Sequence, residues 1–273
     1  MNKQSAGNRL KDTFDDLKRR GKKGLITFVT AGDPSIKETE KIVLELSKSG
    51  ADIIELGIPF SDPMADGPTI QASSERALKK HVNVASVLKL IANLRKKTEV
   101  PIVLFGYYNP VFSYGLKKFA RDAKKAGADG VLIVDLPPEE SLDLKGELNG
   151  HGLDLIYLLT PTSDKSRIRM INKLASGFIY YVSLTGVTGA RVGLPRGVEA
   201  SIRNIKKQIK LPLAVGFGIS NAANARDVAR HADAVVVGSA IINTIDTARK
   251  TKTSITSKVG TFVRSLKKGT NAA

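Results

Sequence analysis

Eight short apolar runs, separated by longer amphipathic stretches, limit most strongly what this chain can fold into. The runs are Leu25 to Val29, Ile53 to Leu56, Ile102 to Phe105, Val131 to Val134, Leu155 to Leu159, Phe178 to Val182, Leu213 to Val215 and Val235 to Val237. Short, unalternating and rich in β-branched residues, they suit parallel strands covered on both faces. The stretches between them read as helices. Ser35 with Glu38 forms a capping-box pattern ahead of Ile42, Val43 and Leu46. Asn83 is placed to cap a stripe of Val84, Val87, Leu88, Ile91 and Leu94, and Ser220 to cap a helix before Val228.

Eight strand–helix alternations within about 250 residues match a closed (β/α)8 TIM barrel, with a doubly wound open sheet as the alternative. No Pro/Gly/Ser linker or shift in composition divides the chain, so residues 1–273 read as a single domain. A basic N-terminal segment over 1–23 is expected to carry a helix, and 269–273 to form a flexible tail. The interval between the second and third runs is the longest, which leaves room for extra structure after strand 2. Gly50-Ala51-Asp52, Gly127-Ala128-Asp129 and His231-Ala232-Asp233 each lead into a run. Shared turn chemistry and an internal duplication both fit that echo.

Composition narrows the chemistry. The chain is 42% hydrophobic and lacks cysteine, which excludes disordered classes, disulfide scaffolds, thiolate zinc sites and a cysteine nucleophile. Its three histidines lie far apart. No apolar run reaches the roughly 18 residues that suggest a membrane span, and the N-terminus lacks a secretory apolar segment, so a cytoplasmic protein is expected. The formal net charge is +17, an excess that attracts nucleic acid or an anionic membrane when it is clustered. Here it is dispersed, with one dense run from Lys18 to Lys23, and a solvated surface is the favoured reading.

In a barrel of this kind the active face lies at the C-terminal ends of the strands. Glu55 interrupts the second run, and by period two it points with Ile53, opposite Ile54 and Leu56. A carboxylate on the inner face, walled by aliphatic groups, acquires a raised pKa and suits proton transfer. An internal ion pair is the competing role, although none of the eight runs contains Lys or Arg. The loop that follows, Pro59 to Pro68, carries Asp62 and Asp66 on a backbone restricted by proline and glycine. Glycines follow the last three strands, at Gly186 and Gly189, at Gly216 and Gly218, and at Gly238 before Ser239. Such glycines let backbone N–H groups approach a phosphate, and turn glycines are the alternative. No strand lysine offers a Schiff base and no strand-end histidine a zinc ligand. A carboxylate Mg²⁺ site from Asp33, Asp62, Asp66 or Asp135 has no supporting ligand pattern, so no metal is expected.

The segment Glu55-Leu56-Gly57-Ile58-Pro59-Phe60-Ser61-Asp62-Pro63-Met64-Ala65-Asp66-Gly67-Pro68 closely resembles the signature of the tryptophan synthase alpha chain family. The resemblance extends through Phe28 to Pro34, Tyr107 to Pro110, Asp135 to Pro137, Gly186 to Arg191, Gly216 to Ser220 and Gly238-Ser239. It implies a carbon–carbon lyase that cleaves indole-3-glycerol phosphate to indole and glyceraldehyde 3-phosphate in tryptophan biosynthesis. It implies Glu55 as general acid/base and Asp66 as the carboxylate meeting the indole N–H. Gly189, Gly218, Gly238 and Ser239 would surround the phosphate. Phe28, Tyr107, Leu132 and Phe217 would wall the indole pocket, with Tyr180 close to Glu55, and Thr188 would belong to a closing lid. The resemblance further implies a beta chain partner in an alpha2-beta2 hetero-tetramer, met by the loops after strands two and six near Tyr107 to Pro110. Pyridoxal phosphate would sit on that beta chain and no cofactor on this one. Two other readings compete: a non-catalytic anion- or nucleic-acid-binding barrel that activates a partner, and a related phosphate-binding lyase or isomerase.

Overall fold

In the computed structural model, which describes residues 8–182, 197–216 and 218–273, the eight apolar runs become eight strands. Helix α1 (Arg9–Arg19) leads into β1 (Gly24–Thr30), α2 (Ile36–Lys48) and β2 (Ile53–Gly57). Two helices, α3 (Pro68–Leu78) and α4 (Val84–Leu94), then precede β3 (Ile102–Gly106), filling the long interval seen in the sequence. Helices α5 (Tyr108–Tyr114) and α6 (Leu116–Ala126) lead to β4 (Gly130–Ile133), and α7 (Leu142–Gly150) to β5 (Asp154–Leu159). Next come α8 (Lys165–Leu174), β6 (Ile179–Val182), α9 (Val198–Lys206), β7 (Leu213–Gly216), α10 (Ala222–Ala229) and β8 (Ala234–Val237). Helices α11 (Ser239–Lys250) and α12 (Ile255–Asn271) end the chain. Each strand pairs in parallel with its sequence neighbours, and β8 pairs with β1, so the sheet closes into a barrel and the open-sheet alternative falls.

Strand alternation sorts the side chains. Ile26, Ile53, Val103, Leu132, Ile156 and Phe178 fill the interior, while Leu25, Ile54, Leu56, Leu104 and Val131 face the helices. Helix α1 plugs the bottom of the barrel. Asn8 caps it by accepting the Lys11 N–H at 3.0 Å, and Leu10 and Phe14 join the interior cluster, where Phe14 meets Phe178 at 5.7 Å between centroids. Burial of each such side chain contributes about 1.5–3 kcal/mol.

The echo of Ala-Asp turns has a structural purpose. Asp52, Asp129 and Asp233 each donate a backbone N–H to the carbonyl of a residue at the start of the preceding strand, Leu25, Ile102 and Leu213. The aspartate side chain then accepts the N–H of that same residue, at 2.6, 2.8 and 3.0 Å. Ser176 repeats the pattern ahead of β6, bonding both polar groups of Leu155. These clamps satisfy the strand-start donors at the barrel floor.

Two local expectations are corrected. Helix α10 is capped by Asn221, which accepts the Asn224 N–H at 2.9 Å; Ser220 instead bonds the Asn224 side chain. Residues 269–273 were expected as a flexible tail, but α12 runs to Asn271 and buries Gly269 and Thr270. A Cβ at 269 would collide with the Ala222 backbone, so the close approach of α12 to α10 needs glycine there. Much of the basic excess lies in last helical turns, as Lys48, Lys124, Lys125, Lys206 and Lys250, where it meets the negative end of the helix dipole.

Candidate active site

Glu55 projects from the middle of β2 into the barrel, 1% exposed. Among the described residues its Oε1 has no hydrogen-bond partner. Phe28 flanks it on β1 and Val103 on β3, as register partners. Burial with no compensating charge pushes its pKa up to about 8. Among the described residues no cation pairs with Glu55, and the group is poised to give and take a proton near neutrality.

Asp66 sits on the loop between β2 and α3, half-buried above the barrel mouth. Burial raises its pKa to about 6, partly offset by the nearby Tyr107 hydroxyl. The loop is fastened by Gln71, whose Nε2 donates to the Asp66 carbonyl at 2.9 Å, and by Tyr107, whose Oη accepts the Ala65 N–H at 3.0 Å. Tyr107 was expected to wall the indole pocket. It has an apolar neighbour, Phe60 at 5.3 Å, but its hydroxyl does polar work on the Asp66 loop.

Phe28 is 6% exposed and packs edge-on against Phe105 at 5.1 Å. Gly57 makes room for it, because a Cβ there would come within 2.7 Å of the ring. Leu132 lies fully buried in the barrel interior, and Tyr180 is half-buried on β6. Burial and the charges of Glu55 and Asp66 hold the Tyr180 hydroxyl well above the usual phenol range. That hydroxyl lies over Gly216, where a Cβ would collide with it.

On the same rim, Gly218 after β7 adopts φ +43° and Gly238, against Phe28, precedes α11, whose first residue is the exposed Ser239. No side chain caps α11 at Gly238, so its N-terminal N–H groups face the rim. Thr188, Gly189 and Phe217 lie outside the described residues. The four aspartates weighed as metal ligands do not converge. Asp33 takes two bonds from Arg76 and one from Ser73, Asp135 accepts the Tyr108 N–H, and Asp62 bonds Ser61. Among the described residues no group of three His, Asp or Glu could hold a metal ion. Sequence reasoning missed Gln71 and the Asp33–Arg76–Ser73 network. Their positions follow from how α3 folds back on the barrel, which no local motif announces.

Fold and site together define a (β/α)8-barrel protein with a buried carboxyl of raised pKa, Glu55, in its interior and a second, Asp66, at its mouth. The family model described as tryptophan synthase alpha chain matches residues 14–271. The tryptophan synthase alpha chain of Geobacter sp. (strain M21) is 54% identical over 262 residues, covering 96% of this chain and 97% of its own. That of Thermoanaerobacter sp. (strain X514) is 46% identical over 260 residues, covering 95% and 98%. The crystal structure of the alpha subunit from Legionella pneumophila str. Paris superposes with a TM-score of 0.93 at 42% identity, covering 98% of this chain and all of that one. The chain belongs to the tryptophan synthase alpha chain family, the lyases that cleave indole-3-glycerol phosphate in tryptophan biosynthesis.

Proposed function

We propose that this chain cleaves indole-3-glycerol phosphate with Glu55 as its proton-transfer group and Asp66 as the carboxylate that accepts the indole N–H. The observation that carries the reading is Glu55 buried inside the barrel, its Oε1 without a partner among the described residues. With a pKa of about 8, Glu55 is mostly protonated near neutrality. It gives its proton to indole C3, and the positive charge that develops on the ring nitrogen is stabilised by Asp66. The bond between C3 and the glycerol carbon then breaks, and its electron pair restores the aromatic ring. The glycerol hydroxyl becomes the aldehyde oxygen as Glu55 takes the hydroxyl proton, which returns the carboxyl to its starting state.

Phe28, Tyr107, Leu132, Tyr180 and Phe217 enclose the indole. Gly189, Gly218, Gly238 and Ser239 receive the phosphate, with the uncapped start of α11 adding favourable partial charge. Thr188 belongs to a lid that excludes water. The partner is a beta chain in an alpha2-beta2 assembly, and pyridoxal phosphate chemistry belongs to that chain. Met64, Phe112 and Leu142, which follow β2, β3 and β4, are 93%, 60% and 61% exposed. Such apolar exposure at the active rim suits a protein contact through which indole leaves. We place the protein in the cytoplasm; among the described residues no helix is long and apolar enough to cross a membrane.

The test is indole release from indole-3-glycerol phosphate by the chain alone and with a cognate beta chain, for the native protein and Asp66→Asn. Release that rises with the partner and drops sharply in the variant supports the reading. A variant that keeps the native rate removes Asp66 from the chemistry.

A further inference from the structure

Helix α3 has little apolar grip on the barrel. It buries Ser73, Ser74 and Ala77, whereas α4 buries six apolar side chains. Polar bonds hold α3 instead, and they converge on the turn after β1. Arg76 donates from Nε and Nη2 to the two oxygens of Asp33, at 2.8 and 2.7 Å, and the Ser73 hydroxyl adds a bond at 2.7 Å. Just past the helix, Lys80 Nζ donates to the Pro34 carbonyl. That turn is itself fixed, since the Ala31 N–H donates to the Gly57 carbonyl at 2.9 Å and the Gly32 N–H to Thr39 Oγ1 at 3.0 Å. The head of α3 reaches the site. The helix begins at Pro68, two residues past Asp66, and its Gln71 Nε2 donates to the Asp66 carbonyl at 2.9 Å.

We propose that Arg76 is a positioning residue for Asp66, its fork on Asp33 fixing helix α3 and thereby the carboxylate at the head of that helix. This rests on the reading of Asp66 as the acceptor of the indole N–H. The contacts form a continuous path: the turn after β1 holds Arg76, the helix carries that constraint to Gln71, and Gln71 holds the Asp66 backbone. A planar guanidinium that meets both carboxylate oxygens fixes direction as well as distance, which a single ammonium does not. The Asp66 loop is largely exposed; Tyr107 Oη ties it at Ala65, and α3 ties it at Asp66. Asp246 on α11 also faces Arg76, at 3.6 Å. It is held more closely by Arg249 and Lys250, at 2.7 and 2.6 Å, so α11 keeps partners of its own when Arg76 is changed.

The experiment compares Arg76→Met, Arg76→Lys and Asp66→Asn, and each Arg76 variant combined with Asp66→Asn, by kcat and KM for indole-3-glycerol phosphate. Arg76→Met removes the fork, so kcat should fall about tenfold while KM stays within about threefold. Arg76→Lys keeps the charge and should recover part of that loss. In the Asp66→Asn background, where slow rates are read in single turnovers with excess protein, the Arg76 effect should vanish. Glyceraldehyde 3-phosphate has no indole, so its Kd by calorimetry should stay within about twofold of native in both Arg76 variants. If Arg76→Met folds poorly, Arg76→Lys decides by the same comparison. A rate loss of equal factor with and without Asp66, or a loss of glyceraldehyde 3-phosphate affinity that matches the loss of rate, would overturn the inference. If Asp66→Asn keeps the native rate, the Asp66 reading fails; if Asp66→Asn is slow and both Arg76 variants are native-like, only the Arg76 inference fails.

Discussion

Phe28 stands beside Glu55 in the parallel register of β1 and β2, so an aromatic ring, not a cation, neighbours the buried carboxyl. The pKa values that follow set a bell-shaped kcat/KM. Activity should rise as Asp66 ionises near pH 6 and fall as Glu55 loses its proton near pH 8. A pH–rate series in buffers of constant ionic strength checks this. A rate still climbing well above the upper value would show that the reaction begins from an ionised Glu55.

The same burial makes Glu55 a stability cost. Its folded pKa is raised above its ordinary 4.5, so its contribution is most favourable below that value and is lost progressively as pH rises towards about 8. Glu55→Gln removes the titration, and its stability relative to the native protein should grow by about 1.4 kcal/mol per pH unit across that window. Urea unfolding at several pH values reads the difference. A difference that does not change with pH would contradict a Glu55 that titrates this high.

Gly57 is fixed by the ring of Phe28, 2.7 Å from where a Cβ would stand, and Phe105 limits the ring's retreat on another side. Gly57→Ala should destabilise the protein by about 1–3 kcal/mol and raise KM, because the displaced ring moves within the pocket. Thermal unfolding and steady-state kinetics on the same sample measure both effects.

Asp129 holds Arg95 at 2.6 Å, Arg9 at 3.0 Å and the Ile102 N–H at 2.8 Å at the barrel floor. Asp129→Ala leaves the largely buried Arg95 and a strand-start donor without that acceptor, and should cost about 3–5 kcal/mol. Turnover per folded molecule should stay native, since the floor lies at the end of the barrel opposite the active rim. Chemical denaturation against active-site titration separates the two quantities.

The barrel was legible because strand runs and capping residues are local signals: Ser35 and Asn83 cap α2 and α4 as their spacing predicts. Glu55 was legible because a charge in an unalternating apolar run has only two directions to point. The bond from the Ala65 N–H to the Tyr107 hydroxyl was not legible, because no local spacing reveals a contact across 42 residues of sequence. The tail was misjudged because nothing local shows that α12 continues past Gly269, where the missing Cβ permits its approach to the α10 backbone. The clamps show the intermediate case. Their Ala-Asp echo was visible, but that Ser176 completes the set depends on a register no spacing reveals.

The proposed role of Glu55 is to move the proton and not merely to shape the pocket. The most direct test measures indole release and substrate binding by calorimetry for Glu55→Gln beside the native chain, with the partner present. Turnover should fall to background while the substrate Kd stays within a few-fold of native. Turnover retained, or turnover and binding lost in equal measure, would contradict it.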